Sequence, residues 1–282
     1  MPELPEVETI IRRLRNGAKA QLPVAGQVIY SVDITWDRSI ARPNPEAFMA
    51  NLQGKTILDA RRRGKYLHFP LSAGHLIGHL RMSGDMRMEP RINADGTPYP
   101  PEDYDRVLIN FASNWRLVFS NIRKFGRLWY VKDPQEVFGG LGPEPLSPNF
   151  SADKLYNMLQ THSQQIKPLL MDQHFLAGLG NIYTDESLFN ARIHPLRQSN
   201  SLSKSEAQEL FHAIQDTLRE GIHRFGASLD WIYRGGEYQN AFRVYQREGE
   251  KCDRCGSSIQ KITVGQRGTH FCPYCQVLPE AA

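Results

Sequence analysis

The sequence predicts an α+β protein with a β-rich N-terminal half, a helical C-terminal half and a metal-stapled module at the end. Short β-branched and aromatic runs separated by turn residues fill residues 28–131. Helix caps followed by apolar stripes at helical spacing fill residues 151–226. All four cysteines lie from Cys252 onward. A chain of 282 residues is long enough for two domains with real cores. A net charge of +4 and a pI near 8.8 permit nucleic-acid binding without requiring it. No apolar run approaches the roughly 20 residues of a membrane span, and the first residues lack the layout of a signal peptide. These features point to a cytoplasmic protein.

The chain opens Met1-Pro-Glu-Leu-Pro-Glu-Val-Glu-Thr9. Initiator methionine is removed when the second residue is small, which leaves the secondary amine of Pro2 at the terminus. An N-terminal amine has a reference pKa of about 8, so roughly one in ten is uncharged at pH 7, far more than for lysine. Glu3 follows it directly, and nearby carboxylates push such an amine's pKa up. Pro5 reads as the first helical residue, with Glu6 and Glu8 in the first turn where the macrodipole favours acids. Val7, Ile10, Ile11 and Leu14 form an apolar stripe, and Asn16-Gly17 supplies the stop. Read from composition alone, this is an ordinary acidic helix start at a frayed terminus.

Strands are expected at Val28–Ile34, Thr56–Ala60, Tyr66–Pro70, His75–Leu80, Val107–Phe111, Leu117–Ser120 and Arg127–Val131. Their alternation implies half-buried antiparallel sheets in a sandwich or barrel. The polar, proline-rich stretch from Glu89 to Asp105 reads as a loop, and Gly139–Pro148 as the linker between halves. Ser151 caps a helix bearing Leu155, Met158 and Leu159. Ser203-x-x-Glu206 is a capping box before Leu210, Phe211, Ile214, Leu218 and Ile222, ended near Gly226. Between them, the Gly178-Leu-Gly-Asn181 turn feeds a further helix.

Cys252-x2-Cys255-x16-Cys272-x2-Cys275 has the spacing of two knuckles donating four thiolates to one Zn2+. Ile259–Val264 and Thr269–Phe271 read as a ribbon hairpin between the pairs. So little apolar content requires a staple to fold, and a closed four-thiolate site is structural, not catalytic. Arg267 sits in the hairpin's tip, within reach of a phosphate, although any solvent-facing turn arginine would look the same.

Further cations and apolar tips stand out. Arg61-Arg62-Arg63-Gly64-Lys65 is either a solvated turn or a run whose repulsion a polyanion offsets. His79-Leu-Arg-Met82-Ser-Gly84 places a methionine at a tight turn, where core methionine is the commoner case. A Gly-rich turn into a helix start, as at Asn181, presents backbone N–H groups to an anion, and Lys167 and Arg267 would complete a clamp. Asp185 and Glu186 would oppose an anion there, so they are expected on the opposite side or in helix capping.

PELPEVET at the start closely resembles the N-terminus of the bacterial formamidopyrimidine-DNA glycosylases, the Fpg/MutM family. HLRMSG, Arg123-Lys-Phe125-Gly126, Ile166-Lys167-Pro168, GLGN and the cysteine module follow in that family's order from Pro2 to Cys275. The resemblance implies a two-layer β-sandwich with flanking helices over residues 1–135 and a hinge over 136–150. A helix-two-turn-helix domain over 151–235 and a zinc ribbon over 236–282 complete it, with DNA in the cleft between the halves. It implies a monomeric glycosylase and abasic-site lyase acting on oxidised purines in double-stranded DNA, with one structural zinc. Pro2 would be the nucleophile, Glu3 the general acid/base, Glu6 an orienting group, and Lys65 a phosphate contact that supports the nucleophile. His79 would touch DNA and Met82 would fill the hole left by an extruded base. Arg123 would bond the orphaned partner base, with Lys124 on a phosphate and Phe125 pressed into the stack. Lys167, Asn181 and Arg267 would clamp phosphates.

Asn121-Ile122 replace the family's commoner Asp-Pro, and Lys124 its second arginine, so Lys124 loses the bidentate fork. The stretch Leu229–Tyr245 is a few residues shorter than the family's lesion-capping segment, which implies weaker contacts to 8-oxoguanine. Alternatives are a related glycosylase for oxidised pyrimidines, and a non-catalytic damage-binding protein on the same scaffold. A sequence-reading zinc-ribbon regulator lacks any recognition helix rich in Arg, Asn and Gln.

Overall fold

The computed structural model describes residues 1–17, 21–228 and 235–279. Two compact units divide the chain, one built on Met1–Gly139, the other on Gly140–Ala227 and the chain from Gly236.

The first unit starts with α1 (Leu4–Asn16), which begins one residue earlier than expected because Glu3 is the cap and Pro5 takes the second helical position. Its stripe Val7, Ile10, Ile11 and Leu14 is buried, at about 1.5–3 kcal/mol for each large aliphatic side chain removed from water. There follow β1 (Ile29–Ile34), β2 (Ile40–Arg42), α2 (Pro45–Leu52), β3 (Arg61–Arg63), β4 (Tyr66–Pro70) and β5 (His75–His79). Then come β6 (Gly84–Pro90), β7 (Asp105–Phe111), β8 (Trp115–Asn121), β9 (Arg127–Val131) and the short α3 (Gln135–Phe138). They form a four-stranded sheet, β1-β7-β8-β6, and a five-stranded sheet, β2-β9-β5-β4-β3. All named pairings are antiparallel except β2 with β9. One apolar core joins the stripe of α1 and Phe48 of α2 to Leu67, Phe69 and Leu76 of one sheet and Met86, Ile109, Leu117 and Phe119 of the other.

Several boundaries depart from the sequence reading. Thr56–Ala60 makes only isolated bridges at Thr56 and Ile57, and the strand is instead Arg61–Arg63, whose cations mask it. β6 alternates buried Met86 and Met88 with charged neighbours, a pattern obscured by the turn before it. It takes Glu89 and Pro90 from the expected loop, and β7 takes Asp105. The ends of that loop are tied by charge: Arg87 forks onto Asp105 at 3.0 and 2.9 Å, and Glu89 accepts from Arg87 at 2.9 Å and Arg116 at 2.7 Å.

The second unit contains α4 (Ala152–Gln160), α5 (Ile166–Met171), α6 (Asn181–Asn190), α7 (Lys204–His223), β10 (Gln260–Val264) and β11 (Arg267–Phe271). Ser151 caps α4 through Lys154 N–H, and Ser203 with Glu206 forms the capping box of α7. Leu155 and Leu159 are buried, whereas Met158 is only half-buried.

Two neighbouring inner strands of the five-stranded sheet, β4 and β5, carry a histidine pair. His68 Nε2 and His75 Nδ1 lie 3.0 Å apart and share one hydrogen bond. Burial, then the neighbouring His75 and Arg61, lowers His68 to about 4, and His75 is lowered chiefly by burial. The unfolded chain therefore gains a proton at His68 below pH 6.5 that the folded chain refuses until about pH 4, so stability falls as pH drops through that window. His68→Gln, which keeps a polar partner for His75, is expected to lose less stability than wild type between pH 7 and 4.5 in urea unfolding; an equal loss contradicts this assignment.

Candidate catalytic and nucleic-acid-binding site

The start of α1 is a buried, reciprocally capped helix end. Glu3 is the cap residue in extended conformation, and the Glu6 carboxylate accepts the Glu3 backbone N–H at 2.8 Å. Pro2, Glu3 and Glu6 are buried, and so is Lys65 in the turn between β3 and β4, strands on which α1 packs. Ionised groups buried at such a place persist only when paired and hydrogen-bonded. The adjacent arginine run is held largely by the protein's own acids. Arg62 pairs with Glu8 at 3.0 Å and Arg61 with Asp59 at 2.9 Å, so a polyanion is not needed to offset them. Burial works to raise the Glu8 carboxyl, but hydrogen bonds and charge from Arg12 and Arg62 hold it below the usual range.

His79 ends β5 with its ring edge-on to Tyr66 at 4.6 Å. The Arg81 backbone N–H donates to His79 Nδ1 at 3.0 Å, which assigns the ring proton to Nε2. Burial, then Arg81 and Lys65, lowers His79 to about 3, so the imidazole is a neutral donor at physiological pH.

Two loops follow from the ends of β5 and β8, at residues 80–84 and 121–126. Met82 is 37% exposed and Phe125 49% exposed, with the Arg123 guanidinium 5.3 Å over the Phe125 ring. Asn121 stitches the loops together. Its Nδ2 donates to Leu80 O at 3.0 Å and its Oδ1 accepts Phe125 N–H at 2.9 Å. Arg123 N–H adds a bond to Ser83 Oγ at 3.0 Å, and Ile122 N–H one to Ser83 O at 3.3 Å. A Cβ on Gly84 would lie 2.6 Å from Leu80 O and 2.8 Å from Asn121 Nδ2, and one on Gly126 2.5 Å from Phe119 Cζ and 2.6 Å from Asn121 Nδ2, so neither position has room for a side chain. An aspartate in place of Asn121 would set a carboxylate oxygen against the Leu80 carbonyl. Lys124, with φ 58°, holds its ammonium 4.1 Å over Trp36.

In the second unit the expected clamp is rearranged. Lys167 is fully buried: its Nζ lies 2.6 Å from Asp185 Oδ1 and donates to Thr269 Oγ1 at 2.7 Å and Gly268 O at 3.2 Å. It faces the protein interior, because a buried carboxylate and the hairpin backbone supply its partners. Asn181 Nδ2 donates to the same Gly268 carbonyl at 3.0 Å. Only Arg267, the first residue of β11, is exposed. Asp185 and Glu186 do not serve as helix caps: both are buried. Asp185 accepts His270 N–H at 2.9 Å, while Glu186 accepts the N–H groups of Arg243, Val244 and Tyr245 at 2.9, 3.0 and 2.8 Å. Burial pushes the Glu186 carboxyl up, and those three backbone donors oppose it. The two acids dock the zinc module onto α6, a role invisible without its partners.

The four cysteine sulfurs lie within 4.8 Å of one another, with Cys252–Cys275 at 3.9 Å and Cys255–Cys272 at 3.5 Å. A tetrahedral zinc at a Zn–S distance of ~2.3 Å spaces its sulfurs ~3.8 Å apart, so the donor set fits one ion with no open position. Phe189, Val244 and Ile259 pack against the cysteines. Of the segment Leu229–Tyr245, expected to be a short lesion cap, residues 229–234 lie outside the described residues.

Of the residues singled out in the sequence, the first unit brings Glu3 and Glu6 together at a helix start, and Met82, Arg123 and Phe125 together on stitched loops. Sequence reasoning misses Ser83, the docking roles of Asp185 and Glu186, and the purpose of Asn121. Its departure from the family's commoner aspartate is the available signal for it.

The family model of the formamidopyrimidine-DNA glycosylase N-terminal domain matches residues 1–128, that of the H2TH domain residues 141–231, and that of the zinc finger found in FPG and IleRS residues 249–277. The chain is 40% identical to the formamidopyrimidine-DNA glycosylase of Protochlamydia amoebophila, over 98% of this chain and 99% of the relative. It is 41% identical to that of Geobacillus kaustophilus, over 98% and 100%. Among solved structures it is similar to Lactococcus lactis Fpg bound to DNA containing an abasic site, with a TM-score of 0.87 and 38% identity over 98% of this chain and 100% of that one. It is also similar to a MutM bound to DNA containing carbocyclic 8-oxo-G, with a TM-score of 0.88 and 39% identity over the same shares. The stitched loops, the capped N-terminus and the four-thiolate module thus stand in a chain that belongs to the formamidopyrimidine-DNA glycosylase family.

Proposed function

We propose that this chain is a bifunctional DNA glycosylase and abasic-site lyase of base-excision repair, removing oxidised purines such as 8-oxoguanine and formamidopyrimidines from double-stranded DNA. The observation that carries it is the buried, capped start Pro2-Glu3…Glu6 in a chain about 40% identical throughout to named formamidopyrimidine-DNA glycosylases. Solved relatives bound to abasic-site, 8-oxo-G and Fapy-dG DNA support the substrate class, and neither a pyrimidine-lesion enzyme nor a pure binder is favoured. The functional divisions are a catalytic domain over 1–135, a hinge over 136–150, a helix-two-turn-helix domain over 151–235 and a zinc ribbon over 236–282. Bacterial relatives and the absence of any described helix able to cross a membrane support action in the cytoplasm on chromosomal DNA.

The damaged nucleotide leaves the stack, because its C1′ is out of reach inside the duplex. After removal of Met1, the Pro2 nitrogen attacks C1′ and the base departs with the glycosidic electron pair. Glu3 protonates the sugar ring oxygen as the ring opens, leaving an iminium linkage between C1′ and Pro2. That linkage acidifies the C2′ proton, whose removal expels the 3′ phosphate; a further elimination expels the 5′ phosphate. Glu6 holds the Glu3 backbone, and so orients both groups. Lys65 and the neutral Nε2–H of His79 face the backbone phosphates. Met82, Arg123 and Phe125 enter the space vacated by the base, and Lys124 offers a point charge. Arg267 contacts a phosphate directly, whereas Lys167 and Asn181 act through the Gly268 carbonyl they both hold. Cys252, Cys255, Cys272 and Cys275 would hold zinc, which supplies the module with its folding energy.

Glu3→Gln is expected to slow excision of 8-oxoguanine by about 10²–10⁴-fold, the usual worth of a general acid/base, in a duplex nicking assay. Undiminished excision would remove Glu3 from its role. Lys167→Met strands the Asp185 charge and should cost about 3–5 kcal/mol in unfolding free energy as well as DNA affinity. Arg267→Ala should weaken binding with an unchanged melting temperature. If Lys167→Met lost affinity at unchanged stability, direct phosphate contact would replace the indirect role.

A further inference from the structure

Each insertion loop places a cation with positive φ immediately before its exposed apolar residue: Arg81 (φ 55°) before Met82, and Lys124 (φ 58°) before Phe125. Residues with side chains rarely adopt this left-handed conformation, and glycine adopts it freely. Strain kept at such a position is a sign of function when the side chain itself has a task. The two cations differ in what holds them. Lys124 is parked on the Trp36 ring at 4.1 Å. Arg81 is exposed, and among the described residues no hydrogen bond or ion pair engages its guanidinium. Several other arginines of this unit are held by protein oxygens, Arg13 by Asp85, Arg62 by Glu8, Arg87 by Asp105, Arg106 by Asn121 O and Arg127 by Gly126 O, whereas Arg123 of the neighbouring loop rests on the Phe125 ring.

The backbone of Arg81 is fixed although its side chain is not. Its N–H donates to His79 Nδ1, and the preceding Leu80 carbonyl accepts from Asn121. The charge of Arg81 adds to that of Lys65 in keeping His79 neutral, so the three residues present two cations and a neutral donor. A glycine at position 81 would serve the turn equally well and would leave that patch one charge poorer.

We infer that Arg81 is a DNA-contacting residue, its guanidinium binding a backbone phosphate next to the point where Met82 enters the duplex. The inference rests on the DNA-glycosylase reading above. The contact adds one charge-assisted interaction and releases one counterion.

The test is equilibrium binding of a duplex carrying a tetrahydrofuran abasic-site analogue, measured from low to moderate salt, alongside thermal unfolding. Arg81→Gly should fold with a melting temperature unchanged or raised by about 2 °C, because it relieves the strained backbone. It should bind roughly tenfold more weakly at low salt, with the slope of log K against log salt reduced by about 0.9. Arg81→Gln should lose affinity and slope to the same degree, and Arg81→Lys should keep the slope. Wild-type affinity and slope in Arg81→Gly would overturn the inference, as would unfolding of that variant. Failure of the wild-type protein to bind the duplex would instead overturn the underlying DNA reading.

Discussion

Glu6 reaches back one helical turn to the backbone N–H of Glu3, and the rest of the N-terminal unit is arranged so that this contact is buried. A helix start carries unsatisfied N–H groups and partial positive charge, so acids are the residues that belong there. Burial makes the arrangement unforgiving: an uncompensated carboxylate would cost several kcal/mol. The stripe Val7, Ile10, Ile11 and Leu14 supplies the opposing force by driving α1 into the sandwich core. Placement of the N-terminal residues is therefore set by hydrophobic packing of the same helix one to two turns further on. The positive end of that helix disfavours a protonated amine at Pro2, and the two carboxylates favour it. For the proposed nucleophile, protonation is a balance between these fields.

The same economy governs the loops that carry Met82 and Phe125. Exposed apolar tips gain nothing from water, so their positions must be fixed from behind. Asn121 does this with one amide, donating to Leu80 O and accepting from Phe125 N–H, and Gly84 and Gly126 approach it too closely to carry a Cβ. In the second unit, buried charge replaces the amide. Lys167, Asp185 and Glu186 tie α5 and α6 to the hairpin and to residues 243–245, and the cysteine cluster rests on that anchorage.

What is legible in the sequence follows from the range of the interactions. Helix α1 is readable because four aliphatic residues repeat at helical spacing. The metal site is readable because two Cys-x-x-Cys knuckles in one short module match the donor set of a tetrahedral ion. Strand β3 is not, because Arg61, Arg62 and Arg63 look like a solvated turn until Glu8 and Asp59 are seen beside them. Lys167 looks outward-facing because its partners are distant in sequence: Gly268 and Thr269 lie 101 and 102 residues away. Asn121 stands out as a departure from the family, yet its purpose depends on a carbonyl 41 residues earlier. Local patterns name the elements and the candidate residues; whether a side chain faces a ligand or the core is decided by contacts no local pattern contains.

The central claim is that the Pro2 amine forms the covalent bond to the sugar. It is tested most directly by borohydride reduction of the protein, with Met1 demonstrably removed, on duplexes bearing 8-oxoguanine or an abasic site, followed by peptide mapping. The account predicts a stable protein–DNA adduct carried by the N-terminal peptide, nearly abolished in Pro2→Gly. Tight binding to both duplexes with no adduct, or an adduct mapped to a lysine elsewhere, would contradict it.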